Sequence, residues 1–251
     1  MTKRIVCWFS CGAASAIATK IAIEENAGKL PLVIAYTEVI EEHPDNKRFL
    51  TECERWFGQE ILILGNDRYK RSIFETFKTS AMNIKGSAPC TQKLKKQVRQ
   101  KFEHVHDRQV FGYTAEEEAR VDKFLDANAD VNLWVPLIDR GLMKEDCLAM
   151  LKNAKIELPA MYQLGYHNNN CIGCVKGGMG YWNKIKVDFP EAFDRMAKLE
   201  RFKNQTVLKD RFLDELQPSD GNYPEEPKVE CSIFCQLTEQ DLESLKKSRA
   251  G

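Results

Sequence analysis

Short apolar, β-branched runs alternate along the chain with stretches of helical periodicity, and this alternation narrows the fold more than any other feature. The runs are Ile5–Phe9, Leu32–Tyr36, Ile61–Leu64, Val110–Phe111 and Val131–Val135. Apolar runs without polar alternation read as strands buried on both faces of a parallel sheet. Between them, Ser15–Asn26, Asn46–Phe57, Ser72–Lys78, Leu94–Phe102 and Glu116–Leu125 carry helical spacing. The first of these, with Ala16, Ile17, Ala18, Ile21, Ala22 and Ile23, is apolar on most faces and is expected against the sheet. Strands and helices alternating at this spacing predict βαβ units and an α/β fold, a doubly wound parallel sheet with helices on both faces.

The pattern changes near Leu158. Asn168-Asn-Asn-Cys171-Ile-Gly-Cys174-Val-Lys-Gly177-Gly178-Met-Gly180 is rich in turn residues, and helices at Tyr181–Val187 and Pro190–Asn204 follow. Beyond Gln217, the residues Pro218, Gly221, Pro224 and Pro227 mark an extended stretch ending in Glu230-Cys-Ser-Ile-Phe-Cys235. The expected organisation is a core over 1–155, a Cys-bearing helical segment over 156–217 packed on it, and an extended Cys-bearing tail over 218–251.

Charge and cysteine content bound the function. Lys and Arg total 37 against 37 Asp and Glu, which argues against binding nucleic acid by global charge and leaves a local basic groove open. No apolar run approaches the ~20 residues that span a bilayer, and the N-terminal run is too short for a secretory signal. A cytoplasmic protein without membrane contact is expected. The nine cysteines fall at 7, 11, 53, 90, 147, 171, 174, 231 and 235. In a reducing compartment, an odd count with the close pairs Cys171/Cys174 and Cys231/Cys235 points to metal, cluster or thiol chemistry rather than disulfides. Cys7 and Cys53 fall within a predicted strand and helix and Cys147 within the helical stretch Lys144–Leu151, and all three are expected in the core.

Ser10-Cys11-Gly12-Ala13-Ala14-Ser15 joins the first strand to the Ala-rich helix. Small residues let backbone N–H groups close around an anion, the helix N-terminus adds favourable partial charge, and the Ser10 and Ser15 hydroxyls can donate to phosphate oxygens. The same composition also suits a plain strand-to-helix turn. Ser10-x-Gly12-x-x-Ser15 resembles the pyrophosphate loop (PP-loop, S-G-G-x-D-S) of the adenine-nucleotide α-hydrolase superfamily, with Cys11 at the second position and Ala14 where the superfamily has Asp. Without that carboxylate, magnesium has no assigned role. Further segments follow in the same order: Ala35-Tyr-Thr37-Glu38 with Glu42-His43-Pro44, Ala88-Pro-Cys90-Thr-Gln-Lys-Leu-Lys95, Gly112-Tyr-Thr-Ala-Glu-Glu-Glu118-Ala-Arg120, and Leu164-Gly165-Tyr166 ahead of Cys171-x-x-Cys174. The collinear set resembles the phosphoadenylylsulfate (PAPS) and adenylylsulfate (APS) reductases.

That resemblance implies an adenine nucleotide (ATP, APS or PAPS) with Ser10, Cys11, Gly12, Ala13 and Ser15 at its phosphates, Thr37 and Glu38 beside the nucleoside, and Gly112 in the same site. Lys95 and Arg120 would hold the anion. Glu230-Cys231-Ser232-Ile233 resembles the reductases' C-terminal Glu-Cys-Gly-Leu, implying Cys231 as a nucleophile on the sulfate sulfur, released by a thioredoxin-like reductant; such a thiol must be mobile and of lowered pKa. The cluster-bearing members imply a [4Fe–4S] centre on Cys90, Cys171 and Cys174, with Thr91 in place of a fourth Cys and a tail cysteine, Cys235 or Cys231, as the substitute ligand. Zinc or plain buried thiols are the other readings. A homo-oligomer is expected. ATP-dependent thiolation of tRNA or DNA is the alternative activity, motivated by Thr91, the altered tail and the aromatic-basic stretch Tyr181, Trp182, Lys184 and Lys186, although a helix packing its aromatics inward explains that stretch equally. A nucleotide-binding module without catalysis is the third. The basic run Lys93, Lys95, Lys96, Arg99 and Lys101 places Lys95 and Arg99 on one helical face, where they can meet phosphate or sulfate or line a solvated surface.

Overall fold

A computed structural model describes residues 3–82 and 88–227. The elements in chain order are β1 (Arg4–Phe9), α1 (Ala13–Asn26), β2 (Leu32–Thr37), α2 (Asn46–Phe57), β3 (Ile61–Leu64), α3 (Ile73–Lys78), a π-helical turn (Thr91–Lys96) that runs into α4 (Gln97–Phe102), β4 (Asp107–Val110), α5 (Glu118–Ala127), β5 (Asn132–Trp134), α6 (Lys144–Asn153), α7 (Ala160–Gln163), α8 (Met179–Asp188) and α9 (Pro190–Lys203). The protein is α/β. Among the described residues, five strands form one parallel sheet in the order β3-β2-β1-β4-β5.

β1 lies at the centre and is buried on both faces, because its side chains alternate between two apolar layers. Ile5, Cys7 and Phe9 join one layer with Phe49, Cys53 and Phe57 of α2, Ile17 and Ile21 of α1, and Cys147 and Leu151 of α6. Val6 and Trp8 join the other with Phe111, Tyr113 and Val121 and Phe124 of α5. Helices therefore cover both faces, as the alternating runs predict. Cys7, Cys53 and Cys147 are buried as expected, and burial pushes the Cys147 thiol up to about 12.

Several boundaries differ from the sequence reading, and that of β4 does so for an identifiable reason. β4 spans Asp107–Val110 rather than Val110–Phe111. Its first residues are polar but paired: Asp107 takes a bidentate bond from Arg4, and Gln109 accepts from Trp8 Nε1 at 2.6 Å. Hydropathy cannot see a strand whose buried polar groups are satisfied by partners about a hundred residues away. The helix expected from Leu94 instead begins with the π-helical turn at Thr91.

A further apolar cluster gathers α3, the π-helical turn and the segment from α7 onward. Phe77, Leu94, Met161, Trp182, Phe193 and Met196 are among its buried members. No helix among the described residues is long and apolar enough to cross a membrane.

Candidate functional site

The strand order locates the site. The chain builds outward from β1 to β3, then crosses back over β1 to lay down β4 and β5, so the connections diverge at the C-terminal ends of β1 and β4. Such switch points open a crevice where α/β sheets bind ligands. A crevice of about 170 Å³ lies there, lined by Ser10, Gly12, Ala14 and Ser15 after β1, Tyr36 and Thr37 at the end of β2, and Phe111, Gly112, Tyr113 and Thr114 after β4.

The loop after β1 is held tightly. Cys11 takes the left-handed backbone conformation at φ +55°, and Gly12 is the extended N-cap of α1. Ser15 Oγ donates to the Gly12 carbonyl at 2.9 Å and accepts from both the Ser10 amide and the Ser10 hydroxyl at 3.1 Å. One hydroxyl thus closes the loop on itself. Gly112 presses against it: a Cβ there would sit 2.6 Å from the Ser15 nitrogen and 2.8 Å from the Ala14 carbonyl carbon. Only glycine permits that approach.

Three cations line the crevice. Lys95, carried on the π-helical turn, is almost fully buried and reaches Glu42 Oε1 at 3.3 Å. Arg120 pairs with Glu117 at 2.5 Å and lies 5.2 Å over the Tyr113 ring. Lys144 donates to the His167 carbonyl and to Asn168 Oδ1. Behind the loop runs a buried polar network. Glu42 accepts from Tyr36 OH at 2.5 Å, from Asn46 Nδ2 at 3.0 Å and from Lys95. Asn169 Nδ2 donates to Asn46 Oδ1 at 2.8 Å and to the Cys11 carbonyl at 2.7 Å. Burial, reinforced by the Glu42 carboxylate, holds the Tyr36 hydroxyl well above its ordinary pKa. α7 contributes Tyr162, whose hydroxyl accepts from the Ala13 amide at 3.4 Å and is pushed up to about 12 by burial.

Of the residues read from the sequence, Ser10, Gly12, Ser15, Thr37, Lys95, Gly112 and Arg120 meet in this crevice. Ala13 is buried beside it, its amide on Tyr162. Glu38 turns elsewhere and pairs with Arg71 at 2.6 Å. Cys11 does not line the crevice: its backbone is left-handed, its thiol is buried in the core layer, and burial followed by the Glu42 charge raises its pKa. Arg99 does not share the role of Lys95 either, since it is buried and paired with Glu103 at 2.5 Å.

Cys171 and Cys174 are buried in the cluster around Trp182, and Cys90 packs against the same cluster. Their loop is pinned from α8, where Tyr181 OH accepts from the Cys174 amide at 2.8 Å and donates to the Cys171 carbonyl at 3.2 Å. Among the described residues, no three His, Cys, Asp or Glu side chains are arranged around a single metal ion. Thiolates are the donors that iron–sulfur clusters take, and two cysteines lie in this apolar cluster with Cys90 packed against it. Cys231 and Cys235 lie outside the described residues. Tyr181 and Trp182 are core residues, so they offer no stacking face for bases. Lys184 pairs with Asp188 at 2.9 Å, and Lys186 lies 5.1 Å over Phe193.

Lys144, Tyr162 and Asn169 escape the sequence reading as site residues, and Glu42 enters it only within the segment Glu42-His43-Pro44, with no role assigned. No protein-family model matches the chain, and no curated protein matches it.

Proposed function

We propose that the chain is an adenine-nucleotide-binding enzyme of the PP-loop type, related to the PAPS and APS reductases, that reduces an adenylylated sulfate. One observation carries the reading: the crevice at the switch point brings the small-residue loop at the start of α1 together with Lys95, Arg120 and Lys144. Phosphates at the helix N-terminus gain from its partial positive charge, and Lys144 together with the ion-paired Lys95 and Arg120 supplies N–H donors for a sulfate-phosphate anhydride.

In the proposed reaction the Cys231 thiolate attacks the sulfate sulfur. The bond from sulfur to the bridging oxygen breaks, the nucleoside phosphate leaves, and Cys231 becomes an S-sulfocysteine. A thioredoxin-like dithiol then supplies two electrons, becoming a disulfide as sulfite and the Cys231 thiol are released. Lys95 and Arg120 hold the anion in position and stabilise the leaving phosphate. A [4Fe–4S] cluster, for which Cys90, Cys171 and Cys174 with Cys235 are the proposed ligands, would supply one-electron redox capacity.

The test is sulfite release from PAPS and from APS with thioredoxin as reductant. Wild type is expected to release sulfite and Cys231→Ser to release none; full activity in Cys231→Ser would overturn the mechanism. ATP cleavage stimulated by tRNA or DNA, without sulfite release, would assign thiolation instead.

A further inference from the structure

Asn169 sits where the crevice, the loop after β1 and the buried network meet. It is 8% exposed and lines the crevice. Its orientation follows from its neighbours. The Glu42 carboxylate accepts from Asn46 Nδ2, so Asn46 turns its oxygen toward Asn169, and that oxygen and the Cys11 carbonyl both require a donor. Asn169 Nδ2 serves both. The remaining end of the amide, Oδ1, is buried without a hydrogen-bond partner among the described residues. A buried carbonyl left unpaired is costly, and a site that keeps one is complete only when a donor arrives.

We propose that Asn169 is a specificity-determining residue of the crevice, its Oδ1 accepting a hydrogen bond from an N–H or O–H group of the bound nucleoside. This rests on the nucleotide reading of the crevice. Phosphate and sulfate oxygens only accept at neutral pH, so the matching donor belongs to the nucleoside: a ribose hydroxyl or the exocyclic amine of adenine. A site built to pair such a donor rejects the analogue that lacks it, because the buried acceptor is then left unmet.

The experiment measures binding by titration calorimetry for wild type, Asn169→Ala and Asn46→Ala. The ligands are ATP, its 2′-deoxy and 3′-deoxy forms, and the inosine triphosphate that replaces the amine with an oxygen. In wild type, one analogue is expected to bind about tenfold more weakly than ATP. That gap should close to within about twofold in Asn169→Ala and persist in Asn46→Ala, which removes one partner of Asn169 Nδ2 but keeps the Oδ1 acceptor. The analogue that loses affinity tells hydroxyl from amine. Equal binding of all four ligands to wild type, or an unchanged gap in Asn169→Ala, would overturn the inference. Should the alanine variant not fold, Asn169→Ser keeps a donor for the Cys11 carbonyl and serves the same comparison. No binding of ATP by wild type would instead refute the nucleotide reading itself.

Discussion

Gly112 shows how little slack the loop after β1 has. A methyl group at this position would overlap the Ser15 nitrogen and the Ala14 carbonyl carbon, both backbone atoms at the start of α1. Neither can rotate away, so the β4 end or the helix terminus must shift. Overpacking of this kind costs about 1–3 kcal/mol, which in a chain this long lowers Tm by roughly 3–10 °C. Gly112→Ala is therefore expected to melt earlier and to bind ATP at least tenfold more weakly, because the same displacement moves the amides proposed to hold phosphate. Unchanged affinity with lowered Tm would separate Gly112 from ligand binding. The loop itself is legible in the sequence because its parts are contiguous: Ser10, Gly12 and Ser15 close on one another within six residues. The burial of the Cys11 thiol is not, since it goes with a left-handed backbone angle that no side-chain pattern announces.

At the scale of elements, Asp107 ties β4 to β1 and to the end of α4. It receives Arg4 through two hydrogen bonds at 2.8 and 2.9 Å and the His104 amide at 2.8 Å, while Arg4 also donates to the Phe102 carbonyl. Burial alone would raise the Asp107 pKa, but the bonds from Arg4 and the His104 amide outweigh it and hold the carboxyl below its ordinary value. The folded state therefore favours the charged form. The stability it adds is fully present above the ordinary carboxylate pKa near 4 and is lost as pH falls through the lower native value. Asp107→Asn is expected to cost about 2 kcal/mol at pH 7, with Arg4 partly solvated. The difference from wild type should narrow below about pH 4, as read from urea midpoints between pH 3 and 7; a difference constant with pH would refute the assignment. β1 and β2 are legible because apolar continuity marks a buried strand; β3 shows the same continuity but is an edge strand whose Leu62 and Ile63 are exposed, so the expectation that it is buried on both faces is corrected. β4 is not legible, because the ion pair and the Gln109 bond that permit its burial lie far away in sequence.

Across the whole molecule, long-range packing decides which predicted residues share a site. The crevice draws on segments around residues 10, 37, 95, 112, 120, 144 and 169. Collinear motifs marked most of these, but Lys144 and Asn169 enter only through the placement of α6 and of the loop that continues into Cys171. The cysteines follow the same logic. Cys90 precedes the π-helical turn, Cys171 and Cys174 lie in a loop pinned by α8, and all three pack with one apolar cluster. That cluster is built from both halves of the chain, so a group bound there would tie α3 and the π-helical turn to α8. If the proposed [4Fe–4S] cluster is present, anaerobically purified protein carries about four irons and matching acid-labile sulfide per chain, with visible absorption that Cys171→Ala loses. Because metal binding adds to the stability of the folded state, that variant should also melt lower than wild type, and by the same amount as wild type stripped with a chelator. A colourless, iron-free wild type would remove the cluster and leave the reductive reading to the tail thiol. A coloured Cys171→Ala with full iron would place the centre on other ligands and make Cys171 a packing residue.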